Sequence, residues 1–137
     1  FAAGGTDNSN HKIYNFENIT TQNVGNMTII GTSGDNIIVT GSGDDVITGG
    51  AGNDLIYPGD GNDIVNAGPG DDVIVASPGA DFENGGDGND TLMAASGSGF
   101  SEITYNLSNG TQGLTGGDLT VAFTNIENIK LISIYNW

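Results

Sequence analysis

Seven nine-residue units run without a gap from Gly31 to Met93: GTSGDNIIV, TGSGDDVIT, GGAGNDLIY, PGDGNDIVN, AGPGDDVIV, ASPGADFEN and GGDGNDTLM. The fourth residue is Gly in every copy (Gly34, Gly43, Gly52, Gly61, Gly70, Gly79 and Gly88). The sixth is Asp45, Asp54, Asp63, Asp72, Asp81 and Asp90 in copies two to seven, and Asn36 in the first. Each unit places six small or acidic residues before three mostly apolar ones. That order predicts a sharp turn rich in carboxylate and carbonyl oxygen, then a short strand. Such a unit buries its apolar residue only by stacking on copies of itself. Its facing carboxylates then lie close together only with a cation between them.

The period sets the architecture. Two units close one coil of a flattened spiral, so the chain is expected to be all-β, a right-handed parallel β-roll (a β-solenoid) of seven nonapeptide repeats with flanking capping strands. Coils stack at about 4.8 Å, and three and a half of them span roughly 17 Å. Side chains alternate across a strand, which points position eight inward and positions seven and nine outward. Position eight is Ile38, Ile47, Ile56, Val65, Ile74, Glu83 and Leu92. The aliphatic ones stabilise the roll by roughly 1.5–3 kcal/mol each. That is thin against the entropy of ordering the segment, so bound metal is expected to supply the rest. Glu83 breaks the pattern, because an unpaired carboxylate in a core is costly. Either its coil is rewound so that Phe82 turns in, the reading favoured here, or Glu83 faces out.

Three regions are expected: N-terminal lead-in or capping strands over 1–30, the roll over 31–93, and C-terminal capping or linker strands over 94–137. The first holds strand-like pieces at Ile13–Phe16 and Met27–Ile30 after the polar opening FAAGGTDNSN. The last begins with AASGSG and continues through β-prone runs at Glu102–Leu107, Leu119–Thr124 and Ile126–Ile134. No segment reads as helix, since Gly and Asn punctuate each one.

Charge sharpens the functional reading. The chain of 137 residues carries a formal charge of −15, with Lys12 and Lys130 its only basic residues apart from His11. Eleven of the thirteen Asp lie inside the repeats, so the acidity is localised, and without cation the roll is expected to be disordered. There is no basic stripe for nucleic acid. There is no cysteine for a disulfide or thiolate site, and no apolar run long enough to span a membrane as a helix. The chain starts at Phe1 rather than Met, which reads as a processed or excised piece.

Calcium accepts six to eight hard oxygen ligands with tolerant geometry, whereas Mg²⁺ keeps its waters and needs a stricter octahedron. The turns offer carbonyls at the Gly positions and the sixth-position carboxylates. Turns of odd copies share one edge of the spiral and those of even copies the other, which makes about five interior Ca²⁺ sites. The first, pairing Asn36 with Asp54, is expected to be the weakest. Zinc is disfavoured without cysteine, the lone His11 reading as a solvated surface residue.

The seven copies resemble the GGxGxDxUx nonapeptide of RTX, or haemolysin-type calcium-binding, proteins. The resemblance implies a calcium-filled parallel β-roll on a secreted or extracellular, cell-surface-associated protein, usually exported by a type I system. Carried over by position, it makes the six repeat Asp residues the ligands, with Asn36, Thr32 and Ser77 departing from the pattern. Ile103–Ile129 resembles, more weakly, the strand-rich lead-in of long RTX arrays. Its closing NIENI echoes NFENI at Asn15–Ile19. The C-terminal strands then belong to a next module, cap this roll, or dock on a neighbouring subunit.

No HExxH, no Ser/His/Asp set and no Cys nucleophile is present, and every Asp pair falls in the turn spacing, so the reading is non-enzymatic. Outward positions seven and nine of the odd copies include Ile37, Val39, Leu55, Tyr57, Val73 and Val75, a nearly continuous apolar outer face. Either the flanking strands cover it, or it packs against another subunit or an adjacent RTX module. Two functions follow. One is a calcium-dependent structural module of a surface, adhesive or self-assembling protein (filament, sheath or surface layer). The other is a calcium-dependent folding and secretion module of a larger type I-secreted enzyme or toxin.

Overall fold

The computed structural model describes residues 11–21, 25–96, 104–108, 111–116 and 119–133. The polar opening, the AASGSG linker from residue 97 onward and the His11 side chain lie outside the described part. Fourteen strands appear there and no helix. The first seven are β1 (His11–Tyr14), β2 (Asn18–Thr20), β3 (Met27–Ile30), β4 (Ile37–Val39), β5 (Val46–Thr48), β6 (Leu55–Tyr57) and β7 (Ile64–Pro69). The others are β8 (Val73–Val75), β9 (Gly79–Asp87), β10 (Thr91–Ser96), β11 (Thr104–Ser108), β12 (Thr111–Gly116), β13 (Leu119–Thr124) and β14 (Asn128–Ser133).

They form two sheets, ordered β1-β3-β5-β7-β9-β13-β12-β11 and β14-β10-β8-β6-β4-β2. Successive strands therefore alternate between sheets, and each repeat strand pairs in parallel with the strand 18 residues away, as in Ile38↔Ile56 and Ile47↔Val65. The chain is a parallel β-roll. Its turns are compact because glycine lets one coil lie directly on the next. At Gly50, with φ +125, a methyl would collide with the Thr32 carbonyl one coil below.

Position eight points inward throughout. Ile38, Ile47, Ile56, Val65, Ile74 and Leu92 are fully buried between the sheets. The flanks continue this core rather than covering it from outside. Met27 and Ile29 of β3, and Val121 and Phe123 of β13, are buried on either side of the repeat strands of the first sheet. β13 adds in parallel to β9, and β14 adds in parallel to β10. The β11–β12 hairpin then extends the first sheet by antiparallel pairing on β13.

The expected rewinding at Glu83 does not occur. Glu83 is 0% exposed and faces the core, while Phe82 is 43% exposed. The reason is register: β9 is paired on both sides, with Glu83 held between Val65 and Phe123. A one-residue slip would invert every side chain of the strand and break both ladders. The cost of one buried carboxyl is smaller than that.

The outer face of the second sheet is open among the described strands, with Ile37 46% and Tyr57 38% exposed. No described flanking strand lies across it, since the flanks pair edge to edge.

Candidate metal centres

The sixth residue of each repeat is the last of its turn and lies two residues before position eight, so it shares the inward face. Asp45, Asp54, Asp63, Asp72, Asp81 and Asp90 are all buried. Each uses one oxygen identically: Oδ1 accepts the backbone N–H of the residue 18 positions earlier. Asn36 N–H donates to Asp54 at 2.8 Å, Asp54 N–H to Asp72 at 2.7 Å and Asp72 N–H to Asp90 at 2.8 Å. On the other edge Met27 N–H donates to Asp45 at 2.8 Å, Asp45 N–H to Asp63 at 2.8 Å and Asp63 N–H to Asp81 at 3.0 Å. Two ladders of charge-assisted hydrogen bonds thus run along the two edges of the roll.

The second oxygen is the informative one. Oδ2 of Asp45, Asp54, Asp63, Asp72 and Asp90 is buried with no hydrogen-bond partner. Burial drives these carboxyls upward in pKa, Asp63 to about 7 and Asp72 to about 6, with the neighbouring Asp charges adding to the effect. Asp45, Asp54, Asp81 and Asp90 are raised for the same leading reason. A row of buried, unpartnered carboxylate oxygens is unfavourable unless protons or cations neutralise it. Hard anionic oxygens strung singly along an edge suit a hard cation whose shell is completed by carbonyls. No group of three His, Cys, Asp or Glu side chains gathers among the described residues in a way that would hold a metal alone, so backbone oxygens have to contribute.

Where those carbonyls stand is visible at the first position of the repeat. A methyl on Gly49 would strike both Asp54 Oδ2 and the Ala67 carbonyl oxygen of the next coil. The space beside Gly49 is therefore bounded by one carboxylate and one carbonyl, and a side chain would fill it. The fourth-position glycines Gly43, Gly52, Gly61, Gly70, Gly79 and Gly88 all have positive φ, while Gly34 does not.

The first copy carries an amide where the others carry a carboxylate. Asn36 Nδ2 donates to the Gly34 carbonyl and, at 3.1 Å, to Asp54 Oδ1. A side-chain amide thus bridges a turn carbonyl and the next carboxylate. Both copies that lack Gly at position two fill the same space with a hydroxyl. Thr32 donates from N–H and Oγ1 to Asn36 Oδ1 at 3.1 and 3.2 Å, and Ser77 Oγ lies 3.5 Å from Asp81 Oδ2.

Glu83 lies deeper, with both carboxyl oxygens buried and unpartnered. Its pKa is pushed up to about 8, first by burial and then by the charges of Asp81 and Asp63.

One set of residues escaped the sequence reading. Position five carries a second ladder running in the opposite sense, in which the earlier coil accepts. Asn53 N–H donates to Asp35 Oδ1 at 2.8 Å, Asn62 N–H to Asp44 Oδ1 at 2.9 Å and Asn89 N–H to Asp71 Oδ1 at 3.0 Å. Its signal is Asp or Asn at position five in every copy but the sixth, which has Ala80. Being exposed, each bond contributes about 0.5–1.5 kcal/mol at most.

A family model described as the RTX calcium-binding nonapeptide repeat, in four copies, matches residues 30–65, 57–92 and 66–100. No curated protein matches the chain.

Proposed function

The chain belongs to the RTX calcium-binding nonapeptide repeat family, and from that premise we propose that it is a non-enzymatic extracellular module whose roll folds on Ca²⁺ and builds a surface, adhesive or self-assembling structure. The observation that carries the calcium half is the row of orphaned Oδ2 atoms. In this reading Asp45, Asp54, Asp63, Asp72, Asp81 and Asp90 each offer Oδ2 to an ion between adjacent coils. Turn carbonyls, including those of the fourth-position glycines, complete the shell. Five interior sites result, three on the odd edge and two on the even edge, and the one at Asn36 is the weakest because an amide already occupies it.

The assembly half rests on the open apolar face formed by Ile37, Val39, Leu55, Tyr57, Val73 and Val75. A contiguous apolar patch on a sheet with no described covering strand favours sheet-on-sheet packing between subunits or modules. The described residues include no helix long and apolar enough to cross a membrane. A second reading, a folding and secretion module of a larger exported enzyme or toxin, draws on the way β13 and β14 continue both sheets in parallel. A roll whose C-terminal flank continues its own core suits a discrete folding unit.

Size measured by light scattering with saturating Ca²⁺ and with EGTA separates them. A polymer in calcium that falls apart on chelation is expected for the assembly. A monomer in calcium that merely expands on chelation favours the folding module. A particle unchanged by either treatment sinks both.

A further inference from the structure

The structure extends the odd-edge ladder one coil beyond the seven repeats. Asp90 N–H donates to Glu127 Oε2 at 2.8 Å, the same contact that Asp72 N–H makes with Asp90. Register agrees. Thr91 of β10 pairs with Asn128 of β14, just as Val73 of β8 pairs with Thr91, so Glu127 stands opposite Asp90 as Asp90 stands opposite Asp72. Asn128 N–H then donates to the Asp90 carbonyl at 2.9 Å, as Thr91 N–H donates to the Asp72 carbonyl at 2.8 Å.

The carbonyl side of the interior geometry is reproduced as well. A methyl on Gly85 would strike Asp90 Oδ2 and the Asn125 carbonyl oxygen. At Gly49 the corresponding pair is Asp54 Oδ2 and the Ala67 carbonyl oxygen. Asn125 thus stands where the first residue of a ninth repeat would stand, and Glu127 where its sixth would, β13 holding the place of the eighth. Three residues span what six span elsewhere. The shortened turn is closed by Asn125 at φ 51, a left-handed conformation that asparagine tolerates, and the longer Glu side chain reaches back to the ladder. Asp90 Oδ2, fully buried and without a partner, faces this turn.

We infer that Asp90, Glu127 and the Asn125 carbonyl form a sixth calcium site, outside the repeats, that fastens the C-terminal strands to the roll. The inference rests on the calcium reading of the interior turns. It has no counterpart at the other end: Glu17 lies opposite Asn36 by the β2–β4 register, but the Asn36 amide faces back into its own turn and toward Asp54.

The test is an ion count on the full chain at saturating Ca²⁺ by native mass spectrometry. Glu127→Gln keeps an acceptor for Asp90 N–H while removing the charge, and is expected to hold one ion fewer than the parent. Glu127→Asp keeps the charge on a shorter arm than this turn requires, and is expected to lose that ion at calcium concentrations where the parent keeps it. Equal counts for the parent and Glu127→Gln overturn the sixth site while leaving the interior sites standing. A parent that binds no calcium overturns the interior reading instead. Should Glu127→Gln fail to fold, Glu127→Asp decides, and the parental ion count at every calcium concentration in that variant overturns the site.

Discussion

The two turn edges of the roll are built from the same repeat but end differently. On the odd edge the inward sixth position reads Asn36, Asp54, Asp72 and Asp90, and the ladder continues to Glu127. On the even edge it reads Asp45, Asp63 and Asp81, closed at one end by Met27 and at the other by Val121, both buried. A polar ladder along a core can thus be stopped by a hydrophobic residue in the same register, which leaves nothing to neutralise beyond it. Alternatively it is carried on by another carboxylate. The even edge is shorter and more heavily burdened: Asp63 and Asp81 share it with Glu83, and Asp63 and Glu83 have the most raised pKa values, about 7 and about 8.

The largest effect expected from that contrast comes from Asp63. It is the middle carboxylate of the even edge and borders both proposed even-edge ions, so Asp63→Ala leaves that edge without an intact site. Asp72→Ala on the odd edge leaves the turns at Asn36/Asp54 and Asp90/Glu127 untouched. Each change also removes a charge-assisted hydrogen bond worth about 1.5–3 kcal/mol, or roughly a tenfold shift or more in the folding equilibrium constant. Calcium titrations followed by circular dichroism should place the Asp63→Ala midpoint above that of Asp72→Ala, and both above the parent. Equal midpoints would mean the edges do not act as separate ladders.

Glu83 sharpens the comparison from inside the core. Its carboxyl lies between Val65 and Phe123 with neither oxygen satisfied, and an unpartnered buried polar group costs about 1–3 kcal/mol. Glu83→Leu is therefore expected to stabilise the roll by about that amount, measured by thermal melting in calcium. The advantage should depend on pH. Because the folded pKa is raised from 4.5 to about 8, the folded chain holds a proton that the unfolded chain has lost between those values. The parent loses stability as pH rises through that window, and the gain from Glu83→Leu grows with it until it levels off above about 8. A destabilised Leu variant would show that Glu83 has a partner the ladder geometry does not reveal.

The repeat made the interior legible for a simple reason: a strict period leaves one way to stack. Strand pairing at 18 residues, the inward position eight and the convergence of sixth positions all follow from nine-residue units, and the structure has all three. The ends were harder because periodicity is lost there. Asn125–Glu127 does in three residues what the repeat does in six, so only the NFENI/NIENI echo hinted that both flanks form end coils. The two asparagines that open those motifs, Asn15 and Asn125, both have positive φ. Glu83 was misjudged because a single-residue penalty was weighed without the two strand ladders that hold its register. The position-five ladder was overlooked because exposed Asp and Asn read as solvating residues, and only the alignment of coils shows that they face backbone N–H groups.

The smallest effect belongs to Asn36, where the odd edge begins. Asn36→Asp would convert an amide that donates to the Gly34 carbonyl and Asp54 Oδ1 into a carboxylate that repels Asp54. Without calcium the change removes two donated bonds from a part of the roll that has no ion to replace them, so the chain should be less ordered in EGTA than the parent. With calcium the new carboxylate completes the repeat pattern, and the ion replaces what the amide had supplied. The net gain is the difference between an ion and a satisfied amide, which places it near the ordinary worth of a hydrogen bond, about 0.5–1.5 kcal/mol. Calorimetric titration should show tighter binding in the variant by no more than about tenfold, confined to one site. Unchanged affinity would mean that the amide is as good a keystone for this end as calcium, and that both edges of the roll, not only the even one, can begin without an ion.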